Sequence, residues 1–324
     1  MAHHEELASL ITPSLLTLIA EAQLPYSKTA SLNFAEVVDY MSRSHFKDAC
    51  EASTARAALI ALSQLSPDGT VPPTSDLDLM SFLPPPASPD FPQQCYGLQL
   101  LLDQTSRVLF DGIGGRWQSA YFGPLARQLA GQWYALPTPQ RPDSWARWSE
   151  GPGVSSFEHW VGIRITWSAP FLHAEDLESQ KIGLELAEET RAAVEAYAGV
   201  RDPYRATRDA LLKDDLAFLR EMPKGPPMRD GQDGVESNIT MSSWAFWWCM
   251  ILDAHWPIIE RFGRYPYRNA ILGRDSTAEE LKWLDDTGHI AVAPSEIAAR
   301  VREDVEKGRW TALGRPFATP LTLL

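Results

Sequence analysis

Between Arg261 and Arg274 the chain reads RFGRYPYRNAILGR, four arginines in fourteen residues of a protein whose formal net charge is −13. Guanidinium groups at that density either match carboxylates fork to fork or hold a carboxylate, phosphate or enolate oxygen of a ligand. Carboxylates stand ready in two earlier stretches, LLLDQTSRVLF (Leu100 to Phe110) and PFLHAEDLESQ (Pro170 to Gln180), as Asp103, Glu175 and Asp176. The first expectation is therefore that Arg261, Arg264, Arg268 and Arg274 brace the fold against these three, with one or two left facing a ligand. The same region carries His173 and His255. Imidazole titrates near neutrality and a carboxylate fixes its tautomer, so either histidine beside Asp103 makes a general acid/base pair. A hydrogen-bonded core role suits each histidine as well.

Tryptophan is over-represented, with twelve residues, six of them between Trp117 and Trp167 and four between Trp244 and Trp256. Such clusters wall a pocket or thicken a core. A pocket reading makes Trp167, Trp244 and Trp248 the walls around an apolar small molecule. His255, Tyr265, Tyr267 and Arg264 are then the catalytic donors, and Asp103, Arg107, His173 and Arg268 the further substrate contacts. That set suits a cofactor-free isomerisation or a cyclisation such as a pericyclic ring closure, which needs preorganisation, excluded water and a few donors more than a nucleophile. The competing class is a non-catalytic helical scaffold for a peptide or protein partner. An enclosed aromatic cavity would favour chemistry, and an open aromatic groove a partner. A hydrolase with His173 or His255 as base has only Ser106 and Ser168 as nucleophile candidates, by proximity to the motifs.

Other chemistries find no signature. There is no HExxH, no histidine pair at i, i+4 and no cysteine pair, so no metal is expected. No GxSxG elbow, phosphate-binding loop or dinucleotide fingerprint occurs, and GIGGRW (Gly112 to Trp117) reads only as a turn; no cofactor is expected. With 42 acidic against 29 basic residues, phosphate backbones and anionic membranes should repel the chain. Cys50, Cys95 and Cys249 read as reduced core residues, and no apolar run reaches the ~18 residues a membrane span requires. The N-terminal stretch lacks a basic leader, which points to a cytoplasmic protein and deprives the triplet Asn238-Ile239-Thr240 of meaning as a glycosylation site.

The elements that must position these residues are helical, giving an all-α fold. Helices are predicted near Leu7–Gln23, Leu32–Ser42, Ala52–Leu65, Phe122–Tyr134, Asp176–Tyr197, Tyr204–Glu221 and Ser295–Lys307, with a short one opened by the capping box Thr277/Glu280. Only VGIRITW (Val161 to Trp167) has any strand character. SSWAFWWCMILDAHWPIIERFG is the central buried helix, bent or restarted at Pro257. Prolines from Pro84 to Pro92 separate residues 1–93 from 94–324, although one continuous globule is expected, and PKGPPMRDGQDG (from Pro223) reads as a long loop. Short loops between helices build antiparallel helix pairs.

The three motifs, in this order, resemble the DUF924 family, mainly bacterial proteins of unassigned function. The third carries most of the likeness, through Arg261, Phe262, Gly263, Arg264, Pro266, Arg268, Asn269, Leu272, Gly273, Arg274, Ser276 and Thr277. The resemblance covers about Gln94 to Leu284 and implies a helical fold similar to tetratricopeptide repeats. This chain departs from it where the family's DQFPRN becomes Asp103-Gln104-Thr105-Ser106-Arg107-Val108, and where FPHRN becomes Tyr265-Pro266-Tyr267-Arg268-Asn269. Altered motif residues on a kept scaffold imply a specialised substrate, as in specialised metabolism.

Overall fold

Residues 2–41, 44–65, 77–150, 154–228 and 238–313 are described by a computed structural model. They are all-α; among them no strand runs, and Val161–Trp167 lies inside the helix Phe157–His173. That helix is buried on nearly every side, with Arg164 carried inside on a pair with Asp143 and a 2.8 Å bond to Glu189. A helix apolar all round loses its 3.6-residue rhythm, which is why a strand reading competed here.

Local chemistry sets several helix ends. The predicted helix Leu7–Gln23 is two, Ala2–Leu10 and Pro13–Gln23, because Thr12 caps the second through its hydroxyl and Pro13 occupies the first turn. Ahead of Ala55–Ser63 stands a separate helix His45–Glu51, and the stretch expected as Tyr204–Glu221 is broken into short turns. Asp176 caps the long helix Leu177–Ala198 by accepting from Ser179 N at 2.7 Å, and Gly199 ends it in the left-handed region. Pro257 starts a fresh helix, Trp256–Phe262, after the tryptophan helix Met241–Asp253. The Thr277/Glu280 capping box forms as expected. The loop from Pro223 runs into residues 229–237, outside the described residues.

Five helices make the centre. Phe157–His173 and Leu177–Ala198 pack along their lengths across a three-residue connection, which makes them antiparallel, and the tryptophan helix packs on both. Gly123–Tyr134 also packs on Phe157–His173. Phe91–Leu100 joins this group to the N-terminal helices by its contact with Pro13–Gln23, so one apolar core runs from Leu7 to Leu252. At that contact a Cβ on Gly97 would collide with the backbone carbonyl of Leu16; only glycine permits the approach.

Two irregularities in these helices decide where polar side chains point. Pro170 removes an N–H from Phe157–His173 and so frees the carbonyl of Thr166 four residues back. Gln99 Nε2 donates to that carbonyl at 2.8 Å while its Oε1 accepts from Trp133 Nε1 at 2.9 Å, so the break is satisfied inside the core. Second, the chain makes π-helical turns at Leu101–Thr105 and Gln118–Phe122, each an extra residue's worth of bulge that turns side chains out of register.

Candidate functional site

The first π-turn carries Asp103, and the last residue of the Pro170-broken helix is His173. Their side chains meet: His173 Nδ1 lies 2.8 Å from Asp103 Oδ1. Burial opposes charge on Asp103, but His173 and Arg107 outweigh it and hold the carboxyl well below the usual carboxylate range, so it is ionised. Burial and the Arg107 cation hold His173 below its ordinary value of 6.5 against the pull of Asp103. At neutral pH the imidazole is therefore uncharged, with its proton on Nδ1 facing the carboxylate and its Nε2 a free base. Gln104 Nε2 also donates to Asp103.

Two cavities share His173 and Arg107 in their walls. One, of about 230 Å³, is mostly apolar and includes Ile165, Leu172, Phe218, Trp248, Ile251 and His255. The other, of about 300 Å³, is lined by Arg127 and Arg268 besides Arg107, with Gln118 and Ser119 of the second π-turn and the carboxylates Glu175 and Asp176. The first π-turn thus borders the apolar cavity through Gln104, and the second borders its neighbour through Gln118 and Ser119.

His255 is 7% exposed and donates from Nδ1 to Ile251 O at 2.8 Å, which leaves Nε2 an acceptor. Burial, then the neighbouring His173, push it down to about 3, so it stays neutral. Its ring packs against Phe218 at 4.2 Å between centroids. Arg107 donates from Nε to the backbone oxygen of Asp103, while its buried Nη2 has no hydrogen-bond partner, the Asp103 carboxylate lying 3.6 Å away. Among the described residues no hydroxyl or thiol hydrogen-bonds either histidine. Ser106 Oγ donates to Leu102 O, and Ser168 Oγ is buried without a partner.

The arginines sort differently from the expected pairing with Asp103, Glu175 and Asp176. Only Glu175 takes that part: Arg274 grips it through both ends of its fork, at 2.5 and 3.1 Å, and Arg268 stands 3.8 Å away with its Nη1 on His173 O. Arg264 pairs with Glu280 at 2.6 and 2.8 Å, and Arg261 with Asp215 and Glu279. Asp176 is spent as a helix cap, because both its oxygens bond Ser179. Arg264, one of the expected catalytic donors, is therefore a brace that lines neither cavity.

Several further expectations are corrected. Tyr265 is fully buried, its hydroxyl donating to Leu172 O and accepting from Gln180 Nε2 at 3.2 Å, so it ties the third motif to the second instead of facing a substrate. Trp167 packs against Tyr96 and Trp133, and Trp244 against Phe34; both are core residues, and of the three expected walls only Trp248 reaches the apolar cavity. Most other indoles serve as internal struts, as where Trp160 donates to Asp143 O at 3.0 Å and Trp148 to Pro142 O at 2.7 Å. Tyr267 is half-buried beside Arg268 and Arg107 and lines neither cavity; burial raises its phenol, which stays protonated. Arg127 and Gln104 were missed. Arg127 belongs to no motif, and its place depends on the helix Gly123–Tyr134 crossing the start of Leu177–Ala198, where its Nε meets Ser179 Oγ at 2.6 Å.

Among the described residues no group of three or more His, Cys, Asp and Glu stands where it could hold a metal ion, and no helix is long and apolar enough to cross a membrane. A family model described as a bacterial protein of unknown function, DUF924, matches residues 35–288. The match begins well ahead of Gln94, so much of the N-terminal helical region belongs to the shared scaffold. No curated protein and no solved structure matches the chain.

Proposed function

The chain belongs to the DUF924 family, whose function is unknown, and on that premise we propose that it is an enzyme moving a proton within an apolar small molecule. The reaction is an isomerisation, or a ring closure that begins with proton removal, and it uses the protein's own side chains. One observation carries this reading: an ionised, buried Asp103 holds neutral His173 at 2.8 Å in the wall of an apolar cavity. His173 Nε2 takes a proton from a carbon next to the substrate carbonyl, Asp103 stabilises the imidazolium, and the same proton returns to a different carbon. General-base help of this kind is worth roughly 10²–10⁴ in rate. The oxyanion that develops accepts from the Arg107 guanidinium, whose Nη2 makes no hydrogen bond and stands 3.6 Å from the Asp103 carboxylate. His255, with Nε2 as acceptor, orients a substrate hydroxyl from elsewhere in the same cavity wall.

Among the described residues neither histidine has a hydroxyl or thiol on it, which favours proton transfer over acyl hydrolysis. The tryptophans are largely interior, which withdraws the aromatic groove that a peptide-binding scaffold would present. Three buried free thiols suit a cytoplasmic enzyme, and an altered motif on a shared scaffold suits a specialised metabolite. The test is solvent exchange: a panel of small ketones and acids is incubated with the protein in heavy water and read by mass spectrometry. At least one compound should gain carbon-bound deuterium with the wild type and not with His173→Gln. Exchange that persists at the wild-type rate in His173→Gln, or no exchange across the panel, would overturn the proposal.

A further inference from the structure

Three guanidinium groups, Arg107, Arg127 and Arg268, border the second cavity, and the carboxylates beside them are already committed. Glu175 is held by both ends of the Arg274 fork and by Tyr265 N at 3.1 Å, and both oxygens of Asp176 bond Ser179. Arg268 is 8% exposed and donates to a neutral carbonyl, His173 O, at 2.7 Å. Arg127 bonds the neutral Ser179 Oγ and stacks over Phe171 at 4.6 Å, with no carboxylate within salt-bridge reach among the described residues. Arg268 has Glu175 at 3.8 Å and Arg107 has Asp103 at 3.6 Å, neither close enough for a hydrogen bond between the charged groups, so a bound anion would complete donors that the carboxylates leave open. Asp103, the remaining carboxylate of the cluster, is turned to His173.

We infer that this cavity binds the acid group of the substrate, whose apolar body occupies the neighbouring cavity, so that the substrate class is a short-chain amphipathic carboxylic acid. The inference rests on the proposed chemistry only for the word substrate; the binding claim stands on the two cavities. His173 and Arg107 lie in both walls, so a ligand spanning them passes its carbons next to the acid group across His173. The Arg127 and Arg268 forks would take the carboxylate bidentately, while Trp248, Ile251 and Leu172 cover the chain.

The experiment is calorimetric titration with hexanoate, hexan-1-ol, hexyl phosphate and inorganic phosphate. Hexanoate should bind, and hexan-1-ol at least tenfold more weakly. Arg127→Gln should weaken hexanoate at least fivefold and Arg127→Lys by less, because a cation is kept; Trp248→Ala should weaken hexanoate while sparing the discrimination against the alcohol. Equal binding of acid and alcohol, or an unchanged affinity in Arg127→Gln with its fold intact by circular dichroism, overturns the inference. Inorganic phosphate binding as tightly as hexanoate also overturns it and leaves a plain anion site, and a preference for hexyl phosphate replaces the carboxylic acid by a phosphate ester. His173→Gln separates the two readings: it should bind hexanoate within a few-fold of wild type while losing deuterium exchange. Hexanoate binding with no exchange by any variant sinks the proton-transfer reading alone.

Discussion

Acid should unfold this protein in part through His255, by an amount that can be worked out. The ring is 7% exposed, donates from Nδ1 to Ile251 O, and has Phe218, Tyr265, His173 and Arg268 as neighbours, none of them a counter-charge. Its protonation is thereby pushed down to about 3, against an ordinary 6.5 once the chain unfolds. Between those values the unfolded state carries one more proton than the native state, so stability falls as pH falls through the window. From pH 7.5 to pH 5 the loss integrates to about 2 kcal/mol, at about 1.4 kcal/mol for each pH unit below the unfolded value. His159, pushed down to about 4 by burial, and His173, also lowered, contribute in the same direction, so the wild-type curve alone does not isolate the term. The comparison is with His255→Gln, whose amide can still donate to Ile251 O but cannot titrate. Urea unfolding followed by tryptophan fluorescence at pH 7.5, 6.5, 5.5 and 5 would give both curves. The variant should gain about 2 kcal/mol on the wild type across the series. Parallel curves would refute the claim that His255 is buried and neutral with no counter-charge beside it.

Asp103→Asn should destabilise the protein at pH 7 by about 2 kcal/mol, since it removes a charged, buried hydrogen bond but keeps an acceptor for His173. Because the folded carboxyl lies below its ordinary 3.8, the deficit should persist to about pH 4 and shrink only in stronger acid, as equilibrium unfolding would record. Nuclear magnetic resonance of the imidazole should find His173 titrating below the ordinary value, higher in Arg107→Gln and lower in Asp103→Asn; the opposite ordering would remove Arg107 from the site. Tyr265→Phe should cost about 2 kcal/mol of stability, two buried hydrogen bonds, with deuterium exchange unchanged; an exchange defect without a stability change would restore the tyrosine to the chemistry. Gly97→Ala should cost about 3 kcal/mol or more by thermal unfolding, because the added methyl meets the Leu16 backbone and not a movable side chain.

Fold class was legible because it depends on local rules. Apolar spacing marked the helix after Asp176, the Thr277/Glu280 box and the restart at Pro257, and each needs only neighbouring residues to take effect. The break at Thr12-Pro13 had its signal in plain view too, a capping hydroxyl followed by a first-turn proline. Where a helix is covered on all sides, as at Val161–Trp167, periodicity carries no information and only the surroundings decide.

The site divides along the same line. Sequence by itself determined which residues were available: Asp103, Arg107 and His173 in two motifs, His255 at the end of the tryptophan helix, and arginines in excess of nearby carboxylates. Which carboxylate each arginine meets was settled by tertiary packing. Arg264 and Arg274 have equivalent forks, yet one closes on Glu280 and the other on Glu175, because helix crossings set distances that spacing along the chain does not encode. The π-turn at Leu101–Thr105 leaves no mark in the residue pattern, since an extra residue in a turn is a response to packing and not to side-chain type. For the same reason Trp167 and Trp248 differ in place though not in kind: one fills the core between Tyr96 and Trp133, and the other borders a cavity, because the helices around the first close and those around the second leave room.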